Sequence, residues 1–204
     1  MRLVYLILLS VALLVSALAQ SPTQPQPPSD SSPGAGEEIT IDDLKGVTIS
    51  SVIEEAGRSR WSGDKIIRRI HQSSRMITHI GSSGAIKWTV DVSTRIDNKS
   101  YPRRYSFSAI IDRPNTTPDM TGARAVVWTF ESNTLTLLRV FEKGGRIIKI
   151  TFNRVGAGFG CTATSSYLNE AGAGYPTIKT MVVGGHMEYI GVKQSSSTCR
   201  VSKK

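Results

Sequence analysis

The sequence predicts an all-β protein, an antiparallel meander forming a single barrel-like (calycin-type) or sandwich domain. Three observations predict it. Ala125–Phe130, Thr134–Phe141 and Arg146–Phe152 are runs dominated by β-branched and aromatic residues. Glu131-Ser-Asn133 and Glu142-Lys-Gly-Gly145 separate them with turn residues. No stretch after residue 19 keeps helical periodicity for three turns. The short turns let consecutive runs pair, which favours the barrel over a Greek-key sandwich.

The chain begins with a leader-like segment. Arg2 gives a positive start, Leu3 to Val15 is apolar apart from Ser10, and Ala17-Leu18-Ala19 is an A-x-A site. This pattern predicts a signal peptide over residues 1–19, cleaved before Gln20. The apolar stretch is short for a membrane span and no basic stop-transfer cluster follows, so no stable span is expected after cleavage. Residues 20–38 carry Pro22, Pro25, Pro27, Pro28 and Pro33 among Ser, Gln and Gly. Such a segment buries too little surface to offset its ordering entropy, and a disordered linker is expected. Residues 39–204 are expected to form one β-rich domain, long enough for a full core.

Within that domain Val47 to Ile53 alternates as a strand, and Gly57 to Gly63 reads as a polar loop around Trp61. Lys65 to Gln72 fits a helix through Ile66, Ile67 and Ile70, and a strand through Ile66, Arg68 and Ile70; strand is preferred because no helix stop follows. Arg75 to Ile80 is also β-like, and Gly81-Ser-Ser-Gly84 is a tight turn. Ala85 to Val92 puts Ile86, Trp88, Val90 and Val92 on one face. Arg95 to Ser100 reads as a loop, and Tyr101 to Ile111 as a strand with Tyr105, Phe107 and Ala109 on one face. Arg113 to Gly122 is the longest internal loop. After the three central runs, a bend with Gly156, Gly158 and Gly160 leads into Cys161 to Tyr167. Asn169 to Pro176 is turn-rich, and Ile178 to Val183, His186 to Val192 and Thr198 to Ser202 make the last strands.

The formal charge is +9, and losing Arg2 with the leader lowers it by one. Such a balance favours polyanions as neighbours: envelope polysaccharide, an anionic lipid surface or nucleic acid. The basic residues are spread along the chain in small groups: Arg58 with Arg60, Arg68-Arg69, Arg103-Arg104, and Arg200 with Lys203-Lys204. No basic run reaches five residues, so no nucleic-acid arm is present and no nucleic-acid partner is expected. Any polyanion binding is expected to be diffuse. Cys161 and Cys199 are the only cysteines. An even count in an exported chain predicts a disulfide, closing a loop of about 39 residues and contributing roughly 4 kcal/mol in the chain-entropy picture.

Few residues carry chemistry. Gly156-x-Gly158-x-Gly160 follows a strand, but no helix comes next to offer its N-terminus to a phosphate, so it reads as a bend. His71 and His79 have no acidic residue two positions away, and His186 with Glu188 is the only pair with usable metal-ligand spacing. The histidines read as surface polar residues, and no metal or cofactor is expected. Glu54 and Glu55 are adjacent, so in a strand they face opposite ways and do not form a carboxylate pair. No Gly-x-Ser-x-Gly elbow is present. Asn98-Lys-Ser100 and Asn115-Thr-Thr117 fit the N-glycosylation pattern. Trp88, Trp128 and Phe130 lie in strands and either fill the core or line an apolar cavity.

Gly81-Ser-Ser-Gly84, Trp128-x-Phe130, Gly144-Gly-Arg-Ile147 leading to Phe152, and Cys161-x-Ala163 with a late Cys199 resemble a group of short exported alphaproteobacterial proteins with no assigned function. The resemblance implies a periplasmic or secreted location and transfers no catalytic residue. The function expected is a non-enzymatic envelope β-domain that binds a protein partner or an anionic polymer through its basic surface. A lipocalin-like carrier of a small apolar ligand and a hydrolase with an unrecognised site stand as alternatives.

Overall fold

The computed structural model describes residues 38–111, 123–169, 177–179 and 185–203. The expected leader, most of the linker, the whole Arg113 to Gly122 loop with Asn115, and much of residues 170–184 lie outside them. Ten strands are described: β1 Val47–Trp61, β2 Arg68–Ile80, β3 Ala85–Ile96, β4 Lys99–Ile110, β5 Ala125–Glu131, β6 Thr134–Val140, β7 Gly145–Val155, β8 Gly158–Leu168, β9 Thr177–Lys179 and β10 His186–Lys203. No helix occurs among the described residues, so none there is long and apolar enough to cross a membrane. All pairings are antiparallel. One sheet runs β4-β3-β2-β1-β10-β9 and the other β5-β6-β7-β8.

The turns follow from local chemistry. Ser132 and Asn133 both take positive φ, as a two-residue β5–β6 hairpin with the matching right-handed twist requires. Asn133 also accepts a hydrogen bond from Ile39 N through Oδ1 at 2.7 Å, which anchors the first core residue. In the Gly81 to Gly84 turn, Gly81 N donates to Ala85 O at 2.8 Å.

Several strands are longer than the sequence suggests. Residues 57–61 continue β1 instead of forming a loop. Gly57 is required there: a Cβ would sit 2.6 Å from Val192 Cα, where β10 presses close beside a shift in register. Residues 68–80 are one strand, and the expected Arg95 to Ser100 loop is a tight hairpin at Asp97 and Asn98. His186 to Ser202 is a single bulged strand, not two.

The meander does not close into a barrel. No ladder joins β4 to β5 or β8 to β10 among the described residues. At the β8–β10 seam, side chains of β10 take the backbone groups that a ladder would use. Gln194 Oε1 accepts from Ser165 N at 2.6 Å, and Ser197 Oγ donates to Ala163 O at 2.7 Å. The Cys161–Cys199 disulfide lies at the same seam, with Cα atoms 5.5 Å apart. Side-chain bridges in place of a ladder are the physical reason the two sheets remain distinct.

The core lies between the sheets. Ile49 and Ile53 of β1, Trp88 of β3, Leu137 of β6 and Ile150 of β7 are buried in one cluster. Trp88 meets Trp128 edge-on across the layers at 5.2 Å between centroids. Each such side chain contributes about 1.5–3 kcal/mol through burial.

Candidate functional site

Between the inner face of β2–β4 and the strands β6 and β7 lies a cavity of about 80 Å³, measured as the space open to the centres of water-sized molecules. Alternation places its wall, since every second residue of β3 and β4 faces inward. Trp88 stacks on Phe107 at 5.0 Å, and Met76 and Ile53 complete an apolar side.

Towards β1 and β7 the wall becomes polar. Glu55 on β1 and Arg146 on β7 are 1 % and 4 % exposed. Arg146 Nη2 donates to Glu55 Oε2 at 2.9 Å, as do Gln72 Nε2 at 2.9 Å and Tyr167 OH at 3.1 Å. Ser165 Oγ donates to Glu55 Oε1 at 2.6 Å, and Arg146 Nε donates to Ser165 Oγ at 3.1 Å. Tyr189 OH donates to Gln72 Oε1 at 2.9 Å. A desolvated ion pair is tolerated when further hydrogen bonds satisfy its remaining atoms, and these bonds do so while tying β1 and β2 to β7 and β8.

Burial opposes the Arg146 charge, but Tyr167 and Glu55 beside it outweigh burial and hold the guanidinium above its ordinary value. Burial pushes the Tyr167 phenol well above its usual value; Arg146 opposes the rise and Glu55 adds to it. Tyr189 is raised by burial first and Glu55 second, against the pull of Arg146 and Arg103. With four donors on its carboxylate, Glu55 is arranged as a clamp between sheets.

A second inward arginine is held differently. Arg103 on β4 shares its face with Tyr101, Tyr105 and Phe107 and lines the cavity. Its Nη1 donates to Tyr105 OH at 3.3 Å, and no carboxylate pairs with it among the described residues.

The outer face of the large sheet is polar and basic. Register places Lys193 of β10, Ala56 of β1, His71 of β2 and Arg95 of β3 in one row, and Arg58 directly opposite Arg69 in the next. Arg58, Arg69, Arg95 and Lys193 are exposed and have no carboxylate partner among the described residues. Arg58, Arg69, His71 and Arg95 border a shallow groove, with Asp97 at its margin. Asp97 Oδ1 accepts from Arg69 N at 3.2 Å. Farther along the face, Arg104 pairs with Asp91, whose carboxyl is held low first by that hydrogen bond.

The structure places the residues singled out by sequence as follows. Cys161 and Cys199 are bonded. Trp88 lines the cavity, whereas Trp128 is fully buried behind it and Phe130 packs on Phe152 at 6.4 Å; neither reaches the wall. No residue of their strand, β5, lines the cavity. Glu54 and Glu55 do face opposite ways: Glu54 meets His71 on the outer face at 3.4 Å. His79 Nδ1 is 3.2 Å from Thr48 Oγ1, and Glu188 pairs with Arg60, leaving His186 apart from it. Among the described residues, no three His, Cys, Asp or Glu side chains cluster as metal ligands. Gly156 turns between β7 and β8 with φ +57°, and Gly158 and Gly160 already belong to β8. Asn98 is exposed at its hairpin.

Sequence reasoning missed the Glu55–Arg146 clamp and Arg103. Arg103 had a visible signal, since it shares the parity of Tyr105 and Phe107. The basic face had none, because its members meet only through sheet register, three from consecutive strands β1 to β3 and one from the distant β10.

No known protein family, curated protein or solved structure matches this chain.

Proposed function

We propose that this protein is an exported, non-enzymatic β-domain of the cell envelope that binds an anionic polysaccharide on the outer face of its large sheet. One observation carries the reading: Lys193, Arg58, Arg69 and Arg95 stand on the four neighbouring strands β10, β1, β2 and β3 without carboxylate partners among the described residues. With strands ~4.8 Å apart, this four-strand patch spans roughly 14 Å across the sheet, a length suited to an extended polymer more than to a single small anion. The directly opposed Arg58 and Arg69 repel each other, and a bound polyanion relieves that cost. The bonded cysteine pair supports an oxidising compartment. The saturation of Glu55 supports a binding role over acid–base chemistry.

The test is binding to polygalacturonate, with neutral dextran as control, across a range of sodium chloride. Affinity should fall steadily with salt and dextran should not bind, because surface charge interactions are screened. Salt-independent binding, equal binding of dextran, or tighter binding of single-stranded DNA would overturn the reading.

A further inference from the structure

We propose that the cavity between the sheets binds a small amphipathic carboxylate, with its head on Arg103 and Tyr105 and its apolar part against Trp88, Phe107 and Met76. This site is on the inner face and does not rest on the polysaccharide reading.

Two of the three arginines that line the cavity, Arg146 and Arg103, make the case by contrast. Arg146 carries its own carboxylate, Glu55, inside the fold. Arg103 lines the same cavity half-buried, yet the described residues supply it no carboxylate. A cation on an apolar wall, shielded from part of its water, favours an anion more strongly than a surface arginine does. Tyr105 is 7 % exposed and its hydroxyl accepts from Arg103, so its own proton has no acceptor among the described residues. Guanidinium and phenol together therefore present donors to one oxygen-rich head group.

The rest of the cavity sets the tail. Trp88, Phe107, Met76 and Ile53 offer a mainly apolar surface to the tail, with Gln72, Ser74 and Thr94 elsewhere in the lining. Arg139, stacked over Phe141 at 5.3 Å, also lines the cavity. At ~10–15 Å³ per water, the space holds about five to eight water-sized units, the scale of a medium-chain carboxylate and not of a long-chain lipid.

The experiment titrates the protein with octanoate and with octan-1-ol, following tryptophan fluorescence and heat. Octanoate should bind saturably at one site per chain, about tenfold or more tighter than octanol, since the charged head gains charge-assisted hydrogen bonds. In Arg103→Gln the octanoate affinity should fall to that of octanol while octanol binding and polygalacturonate binding stay unchanged. Tyr105→Phe should weaken octanoate by a smaller factor, and it serves if Arg103→Gln does not fold. Absence of octanoate binding, equal affinity for the two ligands, or undiminished octanoate binding in a folded Arg103→Gln protein would overturn the proposal.

Discussion

Glu55 shows how one residue can couple two layers. Its inward direction follows from strand alternation alone, but its partners Arg146, Ser165 and Tyr167 lie 91, 110 and 112 residues away. Distance along the chain hides such a cluster from sequence reasoning, which sees only an ordinary Glu-Glu pair. Replacing one member leaves the others desolvated and unpaired. Glu55→Gln should therefore cost about 3–5 kcal/mol in denaturant unfolding, far more than a surface Glu→Gln change. A cost below ~1 kcal/mol would mean that the pair is solvated. The same cluster governs alkaline stability. Tyr167 and Tyr189 have folded values raised above 10.0 by burial. Their contribution is fully present below the unfolded value near pH 10 and is lost as pH rises towards the folded values. Ultraviolet titration should show these two phenols ionising only as the protein unfolds, with stability declining above about pH 10.

At the scale of elements, strands were legible where alternation was clean and illegible where polar residues faced inward. Ser59 is fully buried on β1, so residues 57–61 look like a loop although they belong to the strand. Gln194 to Ser197 read as a break between two strands for the same reason. There the polar side chains bridge to β8 and are part of the architecture. The disulfide reinforces that bridge. Cys199→Ser should remove roughly 4 kcal/mol of stability by freeing the unfolded chain, and lower the melting temperature while the far-ultraviolet spectrum remains β-rich. An unchanged melting temperature would show that the Gln194 and Ser197 bonds suffice to hold the seam.

At the scale of the molecule, the all-β class was legible from propensity and turn residues, but closure was not. Whether a meander becomes a barrel depends on a seam between β8 and β10 whose side chains carry no distinctive sequence signature. Charge behaved likewise. The net value was plain, yet the basic residues look scattered because Arg58, Arg69, Arg95 and Lys193 meet only through sheet register. Diffuse binding was the expectation from sequence; a localised face is the expectation from structure. The most direct measurement compares two triple variants that lose the same charge, Arg58→Gln/Arg69→Gln/Arg95→Gln on the face and Lys45→Gln/Lys143→Gln/Lys149→Gln away from it. Polygalacturonate affinity at low salt should fall about tenfold in the first, as three exposed ion pairs of ~0.2–1 kcal/mol are lost, and change little in the second. Equal losses in the two variants would contradict the account and return the binding to net charge alone.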